Sequence, residues 1–206
     1  HHYYQTLEEL AEDYYTAGLY DKSEEIFLKL IAIKNHRNSS LSKLMQIYEY
    51  TCEWDKALTT IEKLNDIDPS NEYKKNIPHY LCQISEKYIA KNDLEKAELY
   101  IDKAKDTKSS SSRILFVSIQ IALKKRELVK AVELYDKLCE ISDLGHQILL
   151  PDLIATAKQN GEINQVNGMI QRICNKSSRV KEHLALLAIM NLNLDEKIVM
   201  QSLHEF

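Results

Sequence analysis

The chain has 206 residues, a formal net charge of −4 at pH 7 and 44% hydrophobic residues. Charges of both signs are dispersed along it, without the basic stripe that marks a nucleic-acid-binding surface. Four glycines and three prolines leave little material for hairpin turns, which argues against a sheet protein. No run of about eighteen apolar residues could span a bilayer, and no secretory signal opens the sequence. The composition therefore favours a helical protein without a nucleic-acid partner.

The first predicted helix pair lies at residues 6–34. Its first helix carries an apolar stripe with helical spacing, formed by Leu7, Leu10, Ala11 and Tyr14. A turn follows at residues 17–21, where Gly18 is placed to adopt the left-handed conformation that ends a helix. Asp21 is predicted to cap the second helix of the pair.

The second pair, at residues 39–69, has the clearest pattern. Apolar residues recur at i, i+3, i+4 and i+7 of its first helix, as Leu41, Leu44, Met45 and Tyr48. The second helix repeats this spacing with Ala57, Ile61 and Leu64 and stops at Pro69. The turn between them is predicted at residues 53–55, with Asp55 as the helix cap. These spacings resemble a tetratricopeptide (TPR) repeat, a 34-residue helix–turn–helix motif whose small residues allow close packing.

The same pattern recurs along the chain. The small residue that opens each second helix, here called the anchor, is Ser23, Ala57, Ala97, Ala131 and Val166, at intervals of 34, 40, 34 and 35 residues. Four residues after the anchor stand Phe27, Ile61, Ile101, Tyr135 and Ile170, and seven after it stand Leu30, Leu64, Ala104, Leu138 and Ile173. Twelve residues before it stand Ala11, Met45, Ser85, Ile119 and Ile154. The recurrence predicts an all-α TPR superhelix, or α-solenoid, of five to six helix–turn–helix repeats with a concave face built from the first helices.

The later repeats follow from this alignment. They are predicted at residues 78–108, 112–143 and 147–175, with residues 181–206 as a terminal helix pair. Their turns are predicted at Asn92-Asp93 with Asp93 as cap, Arg126-Glu127, and Asn160-Gly161. The 40-residue interval places about six extra residues between repeats two and three, as an elongated loop from Asp66 to Pro78.

Residues that could carry chemistry are scattered. The sequence contains no phosphate loop, dinucleotide fingerprint, H-E-x-x-H or G-x-S-x-G motif. The four cysteines are isolated, and His79, three residues before Cys82, is the nearest approach to a ligand pair. Two ligands do not make a zinc site. We therefore expect a chain that is not an enzyme and that holds neither a cofactor nor a metal.

The concave face is the candidate binding surface. Positions two, five, nine and twelve of a TPR repeat point into it, and the candidate residues on it are Glu8, Glu12, Tyr15, Gln46, Glu49, Tyr50, His79, Glu86, Phe116 and Gln120. Tyr15, Tyr50 and Phe116 are the aromatic contacts expected for a partner peptide. The alternative, that any one of these is ordinary exposed surface, stays open. TPR proteins that bind chaperone tails carry Lys and Asn where this chain has Glu8 and Glu12, so an acidic peptide terminus is not the expected ligand.

Several strings resemble the lipopolysaccharide assembly protein B (LapB) family of Gram-negative bacteria. They are DYYTAGLYDK at residues 13–22, QIY at 46–48 with EWDKA at 53–57, and HYLC at 79–82 with NDLEKA at 92–97. The resemblance extends over about residues 7–105 and continues beyond them only as repeat pattern and spacing. The extended loop between repeats two and three adds to it.

The resemblance implies a regulatory adaptor at the cytoplasmic face of the inner membrane. Such adaptors couple lipopolysaccharide biosynthesis to proteolysis by presenting the LpxC deacetylase to the membrane protease FtsH, and other lipopolysaccharide assembly or transport components are further implied partners. The family's N-terminal membrane helix and its rubredoxin-like metal module with paired C-x-x-C thiolates are absent from this sequence. The chain is therefore expected to be an excised TPR region or a reduced relative.

Two other functions are left open. One is the TPR substrate-recognition arm of a multidomain enzyme such as a glycosyltransferase, which a catalytic domain downstream in the parent gene would favour. The other is a homo-oligomer that forms through the apolar first helix of repeat four or through the final helices.

Overall fold

Every regular element in the described part of the chain is helical. The computed structural model describes residues 2–70, 72–107, 111–141, 146–166 and 168–169. Its α-helices are α1 (His2–Thr16), α2 (Tyr20–Leu30), α3 (Arg37–Tyr50), α4 (Trp54–Ile67), α5 (Ile77–Ala90), α6 (Leu94–Asp106), α7 (Ser112–Lys124), α8 (Leu128–Ile141) and α9 (His146–Asn160). A 3₁₀-helix, Glu72–Asn76, lies between α4 and α5. The predicted all-α class of helix–turn–helix repeats is confirmed, whereas the predicted pair at residues 181–206 lies outside the described residues.

The chain divides into two compact units, residues 1–84 and residues 85–206, here called the N-terminal and C-terminal units. In the N-terminal unit α1 packs on α2, α2 on α3 and α3 on α4. In the C-terminal unit α6 packs on α7, α7 on α8 and α8 on α9, and α7 also contacts α9. Within each unit these helices thus pack on the helix before them, which is the contact order of a helical repeat.

The four aligned positions form the core of each helix pair. Every described residue at these positions is at most 1% exposed. In repeats one and three the residues at the anchor and twelve positions before it are both small, which lets the two helices of the pair approach closely. In repeat one the Ser23 hydroxyl donates to the Ala11 carbonyl oxygen over 2.8 Å, and in repeat three Ser85 donates to the Ala97 carbonyl oxygen over the same distance.

Each first helix ends in the same left-handed turn. The residue five positions before the anchor has positive φ in all five repeats: Gly18 (74°), Cys52 (58°), Asn92 (57°), Arg126 (59°) and Gly161 (73°). The next residue donates its backbone N–H to the carbonyl five residues earlier, as Leu19 does to Tyr14 over 2.8 Å and Glu53 to Tyr48 over 2.9 Å. This is the Schellman bond that satisfies a helix's last carbonyls. The predictions for Gly18, Arg126 and Gly161 as turn residues are confirmed.

The predicted caps at Asp21 and Asp55, and the predicted turn at residues 53–55, are wrong. The N-cap positions of α2 and α4 are Leu19 and Glu53, without a side-chain cap hydrogen bond, and both aspartates lie within the first helical turn. The predictions placed the helix starts too late. The left-handed residue reverses the chain within one Schellman turn, so the next helix starts two residues after it and already includes the aspartate. The aspartates still favour the helix starts through the macrodipole.

Asp93 is a true N-cap, as predicted, because its carboxylate accepts from the backbone N–H of Lys96 over 3.2 Å.

Lysine also recurs directly before the anchor. In the first three repeats its ammonium lies over the ring of the tyrosine eight residues earlier: Lys22 over Tyr14 at 5.4 Å, Lys56 over Tyr48 at 5.3 Å and Lys96 over Tyr88 at 5.4 Å. Each contact joins the two helices of one pair by a cation–π interaction.

The extra residues predicted from the 40-residue interval between anchors lie between α4 and α5. α4 ends at Ile67, two residues before Pro69, and α5 begins at Ile77. Proline disfavours the helical conformation of the residue before it, which accounts for the end of α4. The segment is not only the predicted elongated loop, since it contains the 3₁₀-helix.

Candidate functional site

The acidic candidates of repeat one contact the following first helix. Glu8 of α1 accepts hydrogen bonds from the Ser39 hydroxyl over 2.6 Å and from His36 Nδ1 over 2.7 Å. Glu12 pairs with Lys43 of α3 over 3.1 Å. Both carboxylates are therefore engaged within the chain, where they hold α1 against α3.

The acidic candidates of the next two repeats behave in the same way. Glu49 accepts a short hydrogen bond from the Tyr80 hydroxyl and another from Asn76 Nδ2 over 3.1 Å. Glu86 pairs with Arg113 of α7 over 2.6 Å. Acidic side chains on the first helix of one repeat thus contact the first helix of the next repeat. A partner would have to compete with these contacts.

The environment of Glu8 favours its charged form. Burial raises the pKa of this carboxyl, but the hydrogen bonds from Ser39 and His36 outweigh it, so the pKa lies below its usual value of 4.5. A carboxyl whose folded-state pKa is lowered contributes stability above its unfolded pKa and loses that contribution as the pH falls through the folded value.

We expect Glu8→Gln to lower the free energy of unfolding by about 1 kcal/mol at neutral pH, because it removes a half-buried charge that accepts two hydrogen bonds. The difference from the original protein should shrink as the pH falls below 4.5 and through the lowered folded-state pKa of Glu8. Urea unfolding followed by circular dichroism measures both effects. Glu9→Gln, an exposed neighbour, is the control, and equal destabilisation by the two variants at neutral pH would refute the role of Glu8.

Two of the aromatic candidates belong to a row of tyrosines in the N-terminal unit. The Tyr15 ring lies edge-on to Tyr20 with centroids 5.6 Å apart, and Tyr20 lies 4.6 Å from Tyr50. Burial and a hydrogen bond with Tyr50 raise the pKa of Tyr20. Tyr50 ends the row and is 68% exposed, so a large aromatic face is open to a partner.

His79 and Cys82, the nearest approach to a ligand pair in the sequence, differ in their exposure. His79 is exposed and its ring lies 5.6 Å from Trp54, whereas Cys82 is completely buried. Among the residues that the structure describes, no group of three or more His, Cys, Asp or Glu side chains is placed to hold a metal ion.

Phe116 and Gln120 lie on α7 in the C-terminal unit. The Phe116 ring is half-buried, with the Arg113 guanidinium 5.7 Å from its centroid. Gln120 lines a cleft of about 290 Å³ together with Ile89, Leu123, Thr156 and Gln159. The Gln120 side-chain oxygen is buried and accepts no hydrogen bond from any described residue. The cleft is therefore lined by both apolar and polar side chains.

Sequence reasoning missed Tyr73 and Asn76, which lie against α3. Asn76 donates to Glu49, and the Tyr73 hydroxyl contacts the Ser42 carbonyl oxygen at 3.4 Å. The sequence signal for Tyr73 and Asn76 is the 40-residue interval between anchors. Extra residues before the first helix of repeat three must pass the first helix of repeat two. Gln46, another candidate, is exposed, and its side chain lies next to the Tyr73 hydroxyl.

Three repeated features define a helical repeat protein of the TPR type. They are five left-handed turns at one alignment position, a buried small residue at the anchor of the first four repeats, and a lysine–tyrosine contact in the first three repeats. No family model matches the chain. Over 127 residues, 62% of its length, the chain is 32% identical to lipopolysaccharide assembly protein B of Escherichia coli (strain K12), covering 32% of that protein. It is 26% identical over 145 residues to lipopolysaccharide assembly protein B of Haemophilus influenzae, covering 70% of this chain and 36% of that protein.

These matches confirm the resemblance to that family, and the chain spans about a third of the length of the curated relatives. Among solved structures, a tetratricopeptide repeat protein from Parabacteroides merdae aligns with 96% of this chain and 82% of its own, at 14% identity and a TM-score of 0.44. That likeness is too weak to carry the fold class, which rests on the repeated geometry. Of the helices described, none is both long and apolar enough to cross a membrane.

Proposed function

We propose that the chain is the protein-binding TPR part of an adaptor similar to lipopolysaccharide assembly protein B. The similarity over 62% of the chain to proteins of that name carries the proposal. In this role the chain has no catalytic function, and it presents the LpxC deacetylase to the FtsH protease, so that lipopolysaccharide biosynthesis is coupled to proteolysis. The adaptor acts at the cytoplasmic face of the inner membrane.

The first-helix faces supply the binding surface. Tyr50 offers a large exposed ring, and exposed aromatic side chains are frequent sources of binding energy in protein interfaces. Gln120 lines the cleft on α7, which offers a partner segment both apolar and polar contacts. The acidic candidates fix the repeats to one another, and this support keeps the faces in a binding-ready geometry.

The test is a pull-down from Gram-negative envelope extract with the tagged chain and a Tyr15→Ala/Tyr50→Ala/Phe116→Ala variant. We expect the original chain to enrich FtsH and LpxC, and the variant to lose most of this enrichment, since truncation of a central aromatic contact costs about 2 kcal/mol or more. Quantitative mass spectrometry of the captured proteins is the measurement.

The matched control replaces three exposed apolar residues of the second helices, Leu28, Leu99 and Val129, by alanine. This variant should retain the enrichment, because its changes lie away from the first-helix faces. Equal capture by all three proteins would place the binding site elsewhere. Failure of the original chain to enrich FtsH or LpxC would refute the proposed function.

A further inference from the structure

The 3₁₀-helix between repeats two and three, here called the insert helix (Glu72–Asn76), lies against α3. The Tyr73 hydroxyl donates to the Ser42 carbonyl oxygen over 3.4 Å, and the Gln46 side chain lies next to the same hydroxyl. The Tyr73 ring also packs against the hydrophobic core of the N-terminal unit. Three residues later, Asn76 donates to the Glu49 carboxylate over 3.1 Å.

The residues that receive the insert helix are the predicted binding residues of repeat two. Ser42, Gln46 and Glu49 occupy positions five, nine and twelve of that repeat, on one face of α3. Burial, together with the negative charges of Glu49 and Glu72, raises the pKa of Tyr73, so its hydroxyl remains a donor at neutral pH. The insert helix thus lies on the face of α3 at which a TPR repeat is expected to contact a partner.

The insert helix is only lightly attached. It contains no buried residue, and both Lys74 and Lys75 are exposed. Its i→i+3 hydrogen bonds have the poorer geometry of a 3₁₀-helix. The Tyr80 hydroxyl makes its own hydrogen bond to Glu49, so the start of α5 has a contact with α3 beside the one that Asn76 makes.

We propose that the insert helix is an internal ligand of the α3 face, and that a protein partner binds this face by displacing it. The displacing segment has the same chemistry: an aromatic hydroxyl that reaches Gln46, followed three residues later by a side-chain amide that reaches Glu49. This inference extends the proposed function, because it names the kind of segment that the adaptor recognises. Tethering gives the insert helix a local concentration of about millimolar, so the α3 face stays closed to weak ligands.

The probe is the acetylated and amidated heptapeptide EYKKNIP, the sequence of residues 72–78, carrying a fluorescent dye. Its affinity is measured by fluorescence anisotropy for the original chain and for a Tyr73→Ala/Asn76→Ala variant, with circular dichroism to verify folding. We expect the variant to bind the peptide about tenfold more tightly or better, since its tethered competitor has lost both contacts. Asn76→Ala alone, which leaves the Tyr73 ring in its place, should raise the affinity by a smaller factor.

Three controls make the result specific. A Lys75→Ala variant changes an exposed side chain of the insert helix and should bind the peptide no better than the original chain. The peptide EAKKAIP, without the aromatic and amide groups, should not bind the double variant. Adding Gln46→Ala to the double variant should weaken its binding of EYKKNIP, because it removes the contact to the tyrosine hydroxyl.

The internal-ligand proposal would be overturned if the original chain, the Tyr73→Ala/Asn76→Ala variant and the Asn76→Ala variant bound EYKKNIP with equal affinity. Tight binding of EAKKAIP by the double variant would also overturn it. Either result is independent of the pull-down, which uses envelope proteins and tests only the proposed function. Capture of LpxC or FtsH without peptide binding would therefore keep the adaptor and reject the internal ligand.

Discussion

Phe27→Ala is expected to lower the free energy of unfolding by about 3–5 kcal/mol, which is the usual cost of deleting a completely buried phenylalanine. Phe27 stands four residues after the anchor of repeat one and has no exposed surface. It belongs to the core cluster that α1, α2, α3 and α4 share. The neighbouring residues cannot refill the lost volume, because rigid helices on either side hold them in place.

The neighbouring residue supplies a matched control. Leu28 lies on the same helix but is 43% exposed, so Leu28→Ala should change the stability by no more than about 0.5 kcal/mol. Urea unfolding measures both variants, and amide hydrogen exchange locates the damage. Protection should fall in α1–α4 more than in α7 and α8, whose core cluster does not include Phe27. A Phe27→Ala variant as stable as Leu28→Ala would reject the repeat register.

The helix pairs were predictable because they depend on local periodicity. An apolar stripe of helical period specifies which face is buried, and small residues at the crossing specify where two helices meet. The four intervals between anchors also locate the left-handed turns, and at three of these turns, Gly18, Asn92 and Gly161, the residue type itself favours positive φ. At Cys52 and Arg126 the repeat geometry imposes a conformation that the residue itself disfavours.

The caps and the site were less accessible to sequence reasoning. Asp55 fits the composition of a cap, but its position one residue inside α4 depends on the turn conformation at Cys52. The contacts of Glu8, Glu49 and Glu86 join residues about thirty positions apart in sequence, and they depend on the reach of side chains between neighbouring helices. Residue type at a concave position therefore does not distinguish a contact with a partner from one with the next repeat.

Ala97→Leu is expected to lower the free energy of unfolding by about 1–3 kcal/mol or more, because it forces a branched side chain into the crossing of α5 and α6. Ala97 is the anchor of repeat three and has no exposed surface. Its carbonyl oxygen also accepts the hydrogen bond from Ser85, which the displaced helix would lengthen. Ala90→Leu, at an exposed position of α5, is the control and should be nearly neutral, within about 0.5 kcal/mol.

A pair exchange tests whether this crossing requires particular residues or only two small side chains and one hydroxyl. In repeat one the serine is the anchor, Ser23, and donates to Ala11, whereas in repeat three it lies twelve residues before the anchor. Ser85→Ala alone should cost about 1 kcal/mol through the lost hydrogen bond. The double variant Ser85→Ala/Ala97→Ser rebuilds the arrangement of repeat one and should recover most of that loss in urea unfolding. If the double variant is less stable than Ser85→Ala alone, the two crossings are not equivalent and the small positions are specific to their own repeats.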